Sequence, residues 1–418
     1  MNAVFNKPVD VPALRIGING RFLVAKQTGV QRAAYNLLVN LLEIDQENKY
    51  IIFTGEEQSS NPVWRRDNVE MVYSQIKSGE NIKNHLWEQF VLPKLALNAK
   101  VDLLHSPANM APLLFRGKSI VNIHDLCFIV NPQWYSFAFR NLYSLLIPKI
   151  ARSASRVITN SNNSRNDIFQ YCGIDSNKVN LIYWAVDESF REVDSSYTPT
   201  LPSDDFILYV GSLEPRKNIS NLILAYEKLR EQYPSIGAKL CLIGGENPLF
   251  ANVKLEAKKF NDDIFLLGYV DETLLHYCYR KARCVVYPSL YEGFGLPPLE
   301  AMACGAPVIT SCTSSLPEVV GKAAMLVNPI DINQMADAMY QVISNPTLAE
   351  RLSKLGLERV KQFSWSRVAR QTLNIYYEVA GVTGRDEKTG RAISPSLWKY
   401  WKQKEQKSIK VLPEKARS

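Results

Sequence analysis

The feature that most constrains this chain is a rhythm: short apolar runs of strand length alternate with amphipathic helical stretches, and the pattern occurs twice. The first series has runs at 14–19, 50–54, 101–105, 119–124 and 157–160, with helical periodicity between several of them, as at 30–42 and 86–97. The second begins at Phe206 and continues through 239–243, 264–267, 284–287, 307–311 and 324–327. Continuously apolar strands separated by helices describe a parallel sheet covered on both faces. The expected fold class is therefore α/β, with two Rossmann-like domains. Between the series, residues 192–203 (EVDSSYTPTLPS) are polar, carry two prolines and lack periodicity, the composition of a linker. This puts an N-terminal domain at 1–200 and a second at 201–362. Residues 363–380 (FSWSRVARQTLNIYYEVA) form a last helix with Trp365, Val368, Leu373, Ile375, Tyr376 and Val379 as its apolar members. Two such sheets facing each other place a cleft beyond the carboxyl ends of their strands.

The chain's 418 residues suffice for two cores, and no run reaches the roughly 18 apolar residues of a membrane span. The first twenty residues lack the charged-then-apolar order of a secretory leader. Seven cysteines without a CxxC pair, several in apolar runs such as those around Cys241 and Cys284, read as reduced core thiols of a cytoplasmic protein. The four histidines are scattered and no Asp-x-Asp ends a strand, so no metal is expected. Of the +8 net charge, residues 381–418 supply +6, with ten Lys or Arg against four Asp or Glu. There Trp398, Tyr400 and Trp401 interleave with lysines, a pattern that suits an anionic membrane surface or a solvated tail. Nucleic acid is a poorer partner, because the rest of the chain is nearly neutral.

The stretch YPSLYEGFGLPPLEAMACGAPVITS, from Tyr287, sets Glu292 and Glu300 around a loop of Gly293, Phe294, Gly295 and Leu296 that runs into a helix. Gly293 and Gly295 permit tight bending and close approach, and Pro297 and Pro298 suit a first helical turn. Free amides attract phosphate and carboxylates attract hydroxyls, a combination that fits a nucleotide sugar. Upstream, ILYVGSLEPRKN gives a buried strand, a turn at Gly211, and Arg216 and Lys217 at the start of a helix, where paired cations are unfavourable unless an anion joins them. Thr28-Gly29 precedes another helix. His124 ends a strand and is expected to point into the cleft, whereas His105 reads as structural or acceptor-side and His85 and His276 have no assigned role.

EGFGLPPLEAMACGAPVI resembles the retaining glycosyltransferases of the GT-B fold, glycosyltransferase family 4. The resemblance implies that Glu292 touches the donor sugar, Glu300 grips the ribose, and Arg216 and Lys217 neutralise the leaving diphosphate. It also implies that His124 lies near the reacting carbon, that Gly29 belongs to a phosphate-facing loop, and that the last helix crosses back onto the first domain. NSNNSRNDI resembles a helix start of the family, with Ser164 as N-cap and Arg165 facing phosphate. NHLWEQFVLPKLA resembles a helix of bacterial members, with Trp87 and Phe90 in the core. TGVQR and HLWEQ look like bacterial mannosyltransferases of surface-polysaccharide assembly. They imply GDP-mannose as donor without a metal or other cofactor, and a lipid-linked saccharide acceptor at the inner membrane face. A nucleotide-sugar epimerase of the same architecture and a non-catalytic membrane-associated binding protein remain open as alternatives.

Overall fold

The structure, a computed structural model, describes residues 13–26, 28–55, 61–191, 197, 199–245 and 261–381. Half of the expected linker and all of the basic tail after Gly381 lie outside the described residues.

Two parallel sheets form the frame. The first contains β1 (Arg15–Asn19), β2 (Lys49–Gly55), β3 (Val69–Ser74), β4 (Leu103–Ser106), β5 (Ser119–Asn122), β6 (Arg156–Thr159) and β7 (Val179–Leu181), in spatial order 3-2-1-4-5-6-7. The second contains β8 (Phe206–Val210), β9 (Lys239–Ile243), β10 (Ile264–Gly268), β11 (Cys284–Tyr287), β12 (Val308–Ser311) and β13 (Ala324–Val327), in order 10-9-8-11-12-13. The inner strands are apolar because helices cover both faces: every residue of β8 and β11 is buried. In each sheet the strand order reverses beside the first strand, between β1 and β4 and between β8 and β11, and a crevice opens at the carboxyl ends there.

Sequence periodicity did not mark β3 and β7. Both lie at or near the sheet's ends and are only partly buried, and VEMVYS carries Glu70 and Tyr73 toward solvent, so neither shows a continuous apolar run. Between the helices Asn81–Leu86 and Leu92–Asn98, residues Trp87–Val91 form a π-helical turn. The inserted residue shifts the facing of the turn. Trp87 and Glu88 are buried, while Phe90, expected in the core, is 55% exposed.

The helix Trp365–Ala380 packs on the first domain against the helix Gly29–Ile44. Its start is capped by Ser364, which accepts from the Arg367 amide, and it ends at Gly381 in the left-handed conformation. Trp365, Val368, Ile375, Tyr376 and Tyr377 are buried. The Tyr376 hydroxyl donates to His105 Nδ1 at 2.6 Å, and Tyr377 accepts from Asn48 Nδ2 at 2.8 Å. No described helix is long and apolar enough to cross a membrane.

Candidate functional site

After β8 the chain turns at Gly211 and makes a 3-10 turn at Pro215–Lys217 before the helix Ile219–Gln232. Arg216 and Lys217 therefore stand one turn ahead of the helix rather than inside it. Asn218 joins the two in the left-handed region at φ 61°, which Asn tolerates, and its side-chain amide donates to the carbonyls of Pro288 and Pro329. The turn presents its cations to the loop after β11. Lys217 Nζ donates to Glu292 Oε1 at 2.6 Å, and Arg216 Nη1 donates to Glu292 Oε2 at 2.7 Å. Arg216 Nε also donates to Glu214 at 2.8 Å, and the Tyr287 hydroxyl donates to Glu292 at 2.9 Å.

Glu292 and Lys217 are each 6% exposed. Burial alone would raise the Glu292 carboxyl, but the charges of Arg216 and Lys217 outweigh it and hold the pKa at about 2. Arg216 responds in the opposite direction: burial opposes its charge, and Glu292 and Glu214 more than restore it. Asp125, contributed by the first domain, is pushed up by burial against the pull of Arg216.

The glycines of the loop are sterically required. A Cβ on Gly293 would lie 2.7 Å from the His124 carbonyl oxygen, and one on Gly295, at φ 108°, would lie 2.6 Å from Leu316. Phe294 turns its ring into an aromatic group with Trp184, Tyr183 and Phe363. Leu296 opens the helix Leu296–Ala303 and faces Gly29 across the cleft, 3.9 Å from where a Cβ on that glycine would stand. On this helix Glu300 accepts from the Tyr279 hydroxyl at 3.0 Å, and Arg32 of the first domain approaches its other oxygen at 3.6 Å. Burial pushes the Glu300 carboxyl up despite Arg32.

His124 is buried with its Nε2 donating to the Pro107 carbonyl at 2.9 Å and its ring 4.7 Å from that of Trp184. Burial lowers its pKa to about 4, so the imidazole is neutral at physiological pH. Its backbone carbonyl is the part that meets Gly293, and Ser164 Oγ donates to both the His124 and Gly293 carbonyls, at 2.8 and 3.3 Å. Ser164 is not the N-cap expected from sequence. The helix Asn162–Cys172 begins earlier, and Ser161 caps it by accepting from the Ser164 amide at 3.0 Å. Arg165 is half-buried, with its Nε lacking a hydrogen-bond partner. His105 bonds Tyr376 and Asn122 and fastens the last helix.

Residues 195–359 match the glycosyl transferases group 1 domain, and residues 28–190 match the glycosyltransferase family 4 domain. The O-antigen chain mannosyltransferase B of Escherichia coli is 32% identical over 62% of this chain and 70% of its own length. The chain belongs to glycosyltransferase family 4. Another relative of this glycosyltransferase, the serotype-specific mannosyltransferase WbdA of Escherichia coli, is 30% identical over 63% of the chain but only 33% of its own length. Among solved structures, sucrose-phosphate synthase of Thermosynechococcus elongatus aligns with a TM-score of 0.68 at 21% identity, covering 88% of this chain and 99% of that one. Anabaena HepE, solved with UDP-glucose, aligns with a TM-score of 0.63 at 18% identity, covering 87% of this chain and 100% of that one. These structures share the GT-B fold with the glycosyltransferase.

Several groups of the family-4 site escaped the sequence. Glu214 lies inside the quoted ILYVGSLEPRKN, yet only the fold shows that it braces Arg216. Arg32, read from sequence only as a minor member of the Gly29 loop with Gln31, bridges to Glu272 at 3.1 Å and to Glu300, both from the second domain. Glu318 accepts from the Asn162 and Asn163 amides and from Tyr183, which ties the two domains together. Glu88 is buried at the first sheet's crevice, where it receives Asn19 and Arg21. Among the described residues no group of three or more His, Cys, Asp or Glu is placed to hold a metal ion.

Proposed function

We propose that this glycosyltransferase moves a hexosyl group, mannosyl favoured, from a nucleoside diphosphate sugar to a saccharide or lipid-linked acceptor. We place the reaction in cell-surface polysaccharide assembly, with the anomeric configuration retained. The observation that carries this reading is the buried Glu292 carboxylate held between Arg216 and Lys217 beside the His124 carbonyl. In glycosyl transfer the anomeric carbon becomes cationic while the departing diphosphate gains negative charge. Fixed cations at the diphosphate lower that barrier without reorganisation. Burial and the adjacent guanidinium draw the Lys217 ammonium below its ordinary pKa, so an added anion is welcome there. With these two cations in place, charge neutralisation does not call for a metal. Glu292 and the neighbouring backbone carbonyls offer acceptors for the sugar's hydroxyls, and Glu300 offers them for the ribose. The retained configuration is assigned to a front-face displacement in which the leaving phosphate takes the acceptor's proton.

The mannosyl preference rests on the relatives' names, O-antigen chain mannosyltransferase among them. The test is a panel of nucleotide sugars, GDP-mannose and UDP-glucose included, assayed for binding and slow hydrolysis by the purified protein. GDP-mannose is expected to lead; preference for another sugar would overturn the donor assignment. Incubation with donor alone separates transfer from epimerisation, since an epimerase would convert the sugar without an acceptor.

A further inference from the structure

Asn160 follows the last residue of β6 and is 1% exposed, yet neither its side-chain nitrogen nor its oxygen has a hydrogen-bond partner. Among the described residues it is the one amide side chain with both polar atoms buried and unpaired. Leaving a buried polar group unsatisfied is costly, so a fully orphaned amide calls for a partner supplied from outside the chain.

Its position says which partner. β5 and β6 run side by side with Asn122 opposite Ile158, so two residues further on, Asn160 comes level with His124 at the carboxyl edge of the first sheet. Ile158, Asn122, His124 and Trp184 together line an internal cavity. The next residue, Ser161, caps the helix whose Ser164 bonds the His124 and Gly293 carbonyls. Asn160 thus lies at the carboxyl edge of the first sheet, directly ahead of the helix whose Ser164 meets the His124 and Gly293 carbonyls.

We propose that Asn160 binds a hydroxyl of the transferred sugar and takes part in selecting that sugar; this rests on the nucleotide-sugar reading above. An amide carries a donor and an acceptor, and a hydroxyl answers both. A carboxylate offers only acceptance and an ammonium only donation, so Asn160 complements Glu292, which receives hydroxyl protons from the opposite wall.

The experiment compares wild type with Asn160→Ala, using whichever of GDP-mannose and UDP-glucose the wild type turns over, together with its monodeoxy analogues. One analogue is expected to lose about tenfold or more in kcat/KM with the wild type, and to show almost no penalty with Asn160→Ala. Asn160→Asp, of nearly the same volume, guards against a folding defect and is expected to keep part of the discrimination through its acceptor. If both variants fold and every analogue is penalised equally in variant and wild type, the inference is overturned and Asn160 is a wetted structural residue. If the wild type uses no nucleotide sugar, the functional reading itself falls and the inference with it. That result is distinct from an active enzyme indifferent to Asn160.

Discussion

At Lys217 a single ammonium meets Glu292 and Tyr287 in a nearly closed site, so its removal is not offset by solvent. Lys217→Ala is expected to lower turnover at saturating donor at least tenfold, up to about 3 kcal/mol in the barrier. An unchanged rate would remove Lys217 from the chemistry. Glu292 makes a second prediction. Its folded pKa of about 2 lies below the ordinary 4.5, so it contributes stability above pH 4.5 that is lost as the pH falls through 2. A shift of that size corresponds to about 3 kcal/mol. The gap in unfolding free energy between wild type and Glu292→Gln should be widest near neutrality and shrink between pH 4.5 and 2; a pH-independent gap contradicts the pairing. The types and spacing of these residues were visible in sequence, because a glycine-rich loop and a basic pair are local signals. Their mutual contact was not, since Lys217 and Glu292 are 75 positions apart. Asn160 gave still less warning, as its character comes from burial that only the assembled sheet produces.

Among the elements, the helix Gly29–Ile44 links distant parts of the chain: its body receives the terminal helix, and Arg32 in its first turns reaches the second domain. Arg32 is 35% exposed on its side chain, where an ion pair is worth up to about 1 kcal/mol. Arg32→Ala is therefore expected to raise the donor KM by no more than about fivefold with little change in kcat. Steady-state kinetics decides, and a loss confined to kcat would give Arg32 a different part. Helices and central strands were legible because 3.6-residue periodicity and uninterrupted apolar runs survive in any context. The strands β3 and β7 were not, because partial exposure admits polar residues that erase the run. Phe90 was misplaced for a related reason: a regular helical wheel cannot foresee the π-helical turn at Trp87–Val91.

For the whole molecule, the domains are held by polar contacts as well as by packing. Glu318 caps the helix Asn162–Cys172 from across the boundary, and Tyr291 donates to Asp167 at 2.5 Å. The repeated strand-helix rhythm announced both sheets, but not these bridges, which depend on how the domains meet. The basic, aromatic tail lies beyond them in sequence. Deleting residues 385–418 is expected to abolish binding to anionic vesicles while soluble transfer activity persists. Vesicle binding equal to that of the full chain would dismiss the tail as an anchor.

The helix Trp365–Ala380 brings a late segment of the chain back onto an early one, Gly29–Ile44. On a ribosome the first sheet emerges long before that helix does, so the early domain waits with one flank uncovered until residue 380 has followed. A chain stopped at residue 362 is expected to be clipped by protease within Gly29–Ile44, where the full-length protein resists. Any nonsense lesion that removes residues 365–380 would thus be felt at Gly29–Ile44.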